Sequence, residues 1–435
     1  MAVEPIATPK ITGRTALDRQ QILGFWAAWA GWTLDGMGSF IYALVLSPAL
    51  TELLPKSGIA ATPGNVGLAG SILFALFLVG WGLSFIWGPL ADRFGRTPVL
   101  AATIIVYSVF TGIAALSSTV LQLAVFRLLA GIGIGGEWAL AGTYVAEAWP
   151  EDRRIMGAGY LQTGYYAGFF LASALNYTVG ARYGWRAMFL CGLAPVIVAL
   201  LILRHVKEPE RWKRAAHAPA TSTRSPLRTI FSGHYRKRTV VNTALLTVAI
   251  IGLWAGAVYE PTAILTLAAK AGMGAAPAAR MVSMGSGLLS VGTILGCLLV
   301  PPLAERLGRK PTLAIYFVGM GGCIVLSFGW VYYLANGLYP FITALFFLGF
   351  FGGNFAMFSL WLPEQYGTSV RATAFAFATS FGRFIGAGVN FLLGAMVHNM
   401  GTLGKPVAFT AVAFGIGLLL IPFAEETRGR VLPEQ

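Results

Sequence analysis

The chain has 435 residues, 56% of them apolar and only 11% charged, with a mean hydropathy of +0.70. That composition excludes an ordinary soluble protein and points to one embedded in a membrane. The net charge of +14 raises the question of nucleic acid, which the placement of the bases answers below.

Apolar runs long enough for a roughly 20-residue spanning helix recur at 22–50, 66–90, 98–117, 120–147, 157–180, 187–206, 239–268, 281–303, 312–334, 338–362, 373–397 and 406–424. Twelve spans predict an all-α membrane protein. Residues 1–20 are polar and carry no apolar core or cleavage pattern, so they read as a tail that stays on the protein. With that tail inside, Lys56, Arg182, Arg186, Lys270, Arg280 and Lys405 fall outside and Arg127 and Arg383 within spans, leaving 23 of the 31 Lys and Arg on the inner side. This is the positive-inside bias, and it predicts cytoplasmic N- and C-termini in a multi-pass protein of the cell (inner) membrane. The bases therefore need no nucleic-acid partner, since anionic headgroups of the bilayer suffice. Cys191, Cys297 and Cys323 each fall in an apolar span without metal spacing, and read as packing residues.

In chain order, the first unusual residue is Asp35, in WTLDGMG of the first span. After the second span comes GPLADRFGRTPVL (88–100), and PPLAERLGRKPTL (301–313) nearly repeats it 213 positions later. Such a repeat predicts two equivalent halves: bundles at 21–206 and 239–424, joined by a polar linker at 207–238 and followed by a tail at 425–435. Asp92 can pair with Arg93 or Arg96 and face the positive end of a neighbouring helix, while Gly95 permits a tight turn.

The fourth span contains Arg127 and Glu137, with Gly131 and Gly135 on one face where a neighbouring helix can approach. A guanidinium within a span costs about 2.5–3.5 kcal/mol on insertion scales, so Arg127 asks for a carboxylate. Depth counted from the span ends puts Asp35 about 20 Å and Arg127 about 17 Å above the inner face, which allows the two to meet. They would form a proton-carrying pair or a static one. Glu137 would take a proton, a polar substrate group or a structural hydrogen bond. Arg383, near the middle of the eleventh span, has no acid one turn away. Its forked donors suit a substrate carboxylate, with a pair to Glu137 as the alternative. Tyr144, Gln162, Tyr165, Tyr166, Trp254, Tyr259, Asn354 and Trp361 lie in segments able to face the centre, with Tyr165 and Asn354 favoured.

Taken together, ADRFGR (91–96), AERLGRK (304–310), the twelve spans and the closing PFAEETRGRVLPE (422–434) resemble the major facilitator superfamily. The resemblance implies two pseudo-symmetric six-helix bundles with a site between them near the midplane. It also implies gating roles for Asp92, Arg93, Gly95 and Arg96, for Glu305, Arg306, Gly308 and Arg309, and for Glu147, Arg154, Glu364 and Arg371 in the E-x-x-P-x-x-x-R theme. WTLDGMG, GGEW, GWRAMF and SFGRFIGAG are similar to the organic-acid:proton symporters, the sialate and carboxylate branch first and the aromatic-acid branch near it. One departure is Gly38, where those branches often carry a second acid. The implied function is proton-coupled uptake of a small organic anion by a monomer without a cofactor. A sugar transporter or a polyspecific drug exporter is the alternative, and a receptor would need a signalling domain. No phosphate-binding loop, nucleophile constellation or metal spacing supports an enzyme.

Overall fold

The computed structural model describes residues 15–217 and 225–434. Twelve long helical segments run through the described residues, without strands. The first, Arg19–Lys56, starts at a capping box in which Asp18 accepts the Gln21 N–H and Gln21 answers to the Asp18 N–H. It bends by 61° between its Arg19–Leu46 and Pro48–Lys56 parts, where proline removes a backbone donor. The second runs from Pro63–Leu83 through Ser84–Ile86 into Trp87–Phe94, and Gly95 alone separates it from the third, which begins at Arg96. Gly308 does the same between Ala275–Leu307 and Arg309–Ile324. Both hinges hold φ above 100° (112° at Gly95, 104° at Gly308), a region that favours glycine, so the repeated motif is also a repeated turn.

The fourth helix is Val120–Ala148 and the fifth Arg154–Leu175, and the sixth span covers Arg182–His205. Short helices Glu210–His217 and Pro226–Ile230 follow. The second half comprises Arg236–Lys270, Ala275–Leu307, Arg309–Tyr333, Leu338–Gln365, Arg371–Met400 and Gly404–Phe423 as seventh to twelfth spans. Eight described helices are long and apolar enough to cross a membrane by length and composition alone, and the bent first helix makes a ninth. The halves meet where the second helix packs on the eleventh and the fifth on the eighth. Within the first half, Gly36 and Gly168 each face a backbone carbonyl of the other's helix with no room for a Cβ, which draws the first and fifth helices together.

Candidate functional site

Both described chain ends lie on one face, here the terminal face, and a network of buried ion pairs closes it. Glu147 accepts Arg96 Nε and Nη2 at 3.1 and 3.0 Å from its own half, and Arg371 Nη1 at 2.6 Å from the other. Glu364 repeats this with the halves exchanged, taking Arg309 at 3.0 and 2.7 Å and Arg154 at 2.7 Å. Each carboxylate is therefore forked by its own half and crossed by the other. All six side chains are at most 3% exposed, and charges so enclosed hold only while every partner stays in place.

Asp92 ties the halves a third way. It pairs with Arg96 at 2.8 Å and accepts the backbone N–H groups of Ala372 and Thr373, at 3.3 and 2.9 Å, capping the eleventh helix with a negative charge. The second copy does not reciprocate. Glu305 and Arg306 are exposed without an ion pair among the described residues. Position 156, the counterpart of Thr373, is Met156, which has no hydroxyl to offer. Arg93 is likewise exposed and stacks on Phe94, so the partner of Asp92 is Arg96 and not Arg93.

Two acids outside the sequence reading complete this face. Glu208 accepts the N–H groups of Arg96 and Thr97 at 2.9 and 2.7 Å, and Glu426 those of Arg309 and Lys310, both at 3.0 Å. Burial pushes Glu208 above the usual carboxylate range despite those bonds. Burial also acts on Glu426, but the N–H groups of Arg309, Lys310 and Arg428, with the charge of Arg309, hold it below that range. The signal was present in KEPE and EETR, 218 residues apart at the ends of the sixth and twelfth spans.

Nearer the centre, Asp35 and Glu137 are fully buried, and neither carboxyl has a hydrogen-bond partner among the described residues. The Glu137 carboxyl presses against Gly31, one turn below Asp35, so the two acids share one face of the first helix and act on each other electrostatically. Both carboxyls act electrostatically on the buried Tyr107 hydroxyl. From the other half comes Arg383, whose charge acts on Asp35 and Tyr165. Its guanidinium lies 3.9 Å over the Trp81 ring and 6.0 Å from the Trp138 ring; Nη1 donates to the Thr379 carbonyl and Nε is buried without a partner. No carboxylate pairs directly with it among the described residues. Aromatic walls surround this group: Trp138 stacks on Trp32 at 6.1 Å, and Trp32 meets Tyr165 at 4.8 Å. Trp138 Nε1 donates 2.9 Å across the halves to Ser359, whose hydroxyl reaches Gln162 at 3.4 Å.

The expected pairing of Asp35 with Arg127 is not formed. Gln21 bonds the Ala148 carbonyl, which fixes the register of the first and fourth helices. Counting from there at 1.5 Å per residue, Asp35 lies about 21 Å up and Arg127 about 31 Å, some two turns further on. Arg127 instead lies 3.7 and 4.3 Å over the rings of Tyr42 and Phe77, a cation held by π faces. The alternative pair of Arg383 with Glu137 is not formed either. Tyr144 and Trp361 are corrected too: they bond the carbonyls of Lys207 and Glu425 at 3.3 and 3.0 Å, near the terminal face and far from the central acids. Asn354 is buried, donates to Phe351 at 2.9 Å and keeps its carbonyl oxygen unpaired. Tyr166 packs edge-on against Tyr165 at 5.7 Å, and Tyr259 is half-buried on the seventh helix. The side chain of Trp254 lies outside the described residues.

Known proteins agree with this architecture. The probable 4-methylmuconolactone transporter of Cupriavidus pinatubonensis is 31% identical over 426 residues, covering 94% of this chain and 92% of that one. The niacin transporter NiaP of Acinetobacter baylyi is 26% identical over 443 residues, covering 94% of each. The structure of the proton:xylose symporter XylE bound to 6-bromo-6-deoxy-D-glucose superposes with a TM-score of 0.76 at 18% identity, over 95% of this chain and 98% of that one. Residues 28–390 match the Major Facilitator Superfamily, and with its two six-helix halves joined by mirrored ion-pair clusters the chain belongs to that superfamily of membrane transporters.

Proposed function

We propose that this protein imports a small organic anion together with a proton, by alternating access between its two halves. Arg383 carries the reading: it is buried between the halves, faces Asp35 and lacks a direct carboxylate partner. A fork of N–H donors set among tryptophan rings suits a carboxylate on a flat or unsaturated skeleton. The relatives named for 4-methylmuconolactone and niacin, both small organic acids, support this substrate class. A buried guanidinium at the centre favours an anion over a sugar or a cationic drug.

The chemistry follows from counting charge. With the site empty, an ionised Asp35 balances Arg383. A substrate carboxylate arriving at Arg383 adds a negative charge to a buried group that already holds two carboxyls, and a proton on Asp35 restores neutrality. Proton and anion thus enter together, and either balanced form can reorient. In this reading Gln162, Tyr165 and Asn354 supply the polar groups that orient the substrate. Glu137 is a second acceptor beside Asp35.

The terminal face, closed by Glu147 and Glu364, faces the cytoplasm in this reading, as the Lys and Arg bias supports, in the inner membrane. The bundles at 21–206 and 239–424 are the moving bodies and 207–238 is their tether. In this reading the protein works as a monomer. Thermal-shift screening of purified protein against carboxylates, sugars and organic cations tests the substrate class. A ligand at about 100 times its dissociation constant stabilises by roughly 2.7 kcal/mol, enough to read. Stabilisation by aromatic monocarboxylates is expected; stabilisation by sugars or cations alone would overturn the reading.

A further inference from the structure

An apolar crevice of about 530 Å³ opens on the flank of the second half, between the seventh, eleventh and twelfth helices. Along the seventh helix it runs from Thr239 to Ile251, about 18 Å, close to the depth of one leaflet of a 30 Å hydrocarbon core. Its walls include Val240, Phe381, Ile385 and Ile416, each more than 40% exposed in the protein alone. Its only polar lining is three threonines. Thr239 and Thr247 spend their hydroxyls on the carbonyls of Ile230 and Thr243. Thr243 is 7% exposed, and its hydroxyl has no partner among the described residues.

The end of the crevice on the terminal face is basic. Phe231 forms its floor, directly after the short helix Pro226–Ile230. Arg228 precedes Phe231 by three residues and Arg236 precedes Val240 by four, so each cation sits one turn from a lining residue. Both are exposed and have no carboxylate partner among the described residues. Neighbouring Arg238 differs, being paired with Glu425 at 2.5 Å. A second apolar crevice, between the ninth and twelfth helices, has no Lys or Arg within a turn of its lining. Charge therefore singles out the first.

We infer that this crevice is a binding site for an anionic glycerophospholipid of the leaflet on the terminal-face side. One acyl chain lies between the seventh, eleventh and twelfth helices. The phosphate sits between Arg228 and Arg236, and Thr243 offers its hydroxyl to a glycerol ester oxygen. The helix Pro226–Ile230 packs on both the eleventh helix and Trp87–Phe94, so a lipid held there braces the segment that bears Asp92 against the half that bears Arg383.

The test is thermal unfolding of the full-length protein in neutral detergent, titrated with dioleoyl-phosphatidylglycerol, dioleoyl-phosphatidylcholine or glycerol phosphate. The site predicts that phosphatidylglycerol stabilises at roughly tenfold lower concentration than phosphatidylcholine, the scale of two basic side chains acting on one headgroup. Arg228→Gln with Arg236→Gln removes that preference. Ala244→Phe, which fills the crevice without touching a charge, weakens both lipids, while Arg204→Gln, an exposed base on the first half, changes neither. Equal effects of the two lipids on the wild type would overturn the site. So would an equal effect of Arg204→Gln, which indicates general surface charge, or full stabilisation by glycerol phosphate, which indicates a free-anion site.

Discussion

Asp92 caps the helix that begins beside Thr373: its carboxylate accepts the Thr373 N–H at 2.9 Å and the Thr373 hydroxyl at 2.5 Å, across the boundary between the halves. A hydrogen bond to a charged group contributes about 1.5–3 kcal/mol. Asp92→Asn should therefore favour opening of the terminal face by roughly tenfold or more and slow turnover, with little change in substrate affinity. Spin labels on exposed Arg204 and Arg306, one in each half, report this as a longer distance. Weaker substrate binding with an unchanged distance distribution would assign Asp92 another role.

The mirrored carboxylates predict coupling. Arg371→Gln leaves Glu147 to Arg96 alone, and Glu147→Gln deprives Arg371 and Arg96 of their shared carboxylate, so each unbalances a buried cluster at a cost of up to about 3–5 kcal/mol, whereas the double variant removes one charge of each sign. Unfolding of the singles and the double should be non-additive by at least about 1 kcal/mol. The same cycle with Arg154 and Glu364 should behave alike. Additive losses would show that the contacts carry no shared energy.

Arg127 offers a contrast. With its guanidinium over Tyr42 and Phe77 and no acid at hand, Arg127→Met should leave proton-driven uptake intact and leave stability equal or improved. Uptake assays on equal amounts of folded protein check this. Loss of proton coupling in that variant would restore Arg127 to the mechanism.

Much of this was legible in the sequence because it rests on repetition and cost. The doubled motif announced two halves, and the price of charge in lipid exposed Asp35, Glu137 and Arg383. Partners were harder to read, because pairing depends on helix register. Depth counted from span ends placed Arg127 beside Asp35; the contact between Gln21 and Ala148 places it two turns away. Apparent symmetry also misled at Glu305 and Arg306, since the cap that Asp92 makes needs Thr373 and the other half supplies Met156. Glu208 and Glu426 were overlooked because acids at span ends read as solvated tails, although they receive the first backbone donors of the third and ninth helices.

Arg383→Lys should weaken carboxylate binding about tenfold or more while retaining the charge, because an ammonium cannot reproduce the fork or its stacking on Trp81. Arg383→Ala should weaken it further. Binding isotherms that match the wild type in both variants would remove Arg383 from the substrate site.

In the proposed mechanism Asp35 carries the proton that admits the anion to Arg383. Asp35→Asn fixes the neutral form, so the loaded carrier still reorients while the empty carrier cannot exchange a proton with the gradient. One pH unit supplies about 1.4 kcal/mol per proton, equivalent to tenfold accumulation, which makes the loss easy to see. The decisive measurement is paired uptake and counterflow of one carboxylate substrate in proteoliposomes under an imposed pH difference. Asp35→Asn is expected to abolish accumulation and preserve substrate-for-substrate exchange; accumulation at the wild-type level in that variant would rule out Asp35 as the proton carrier.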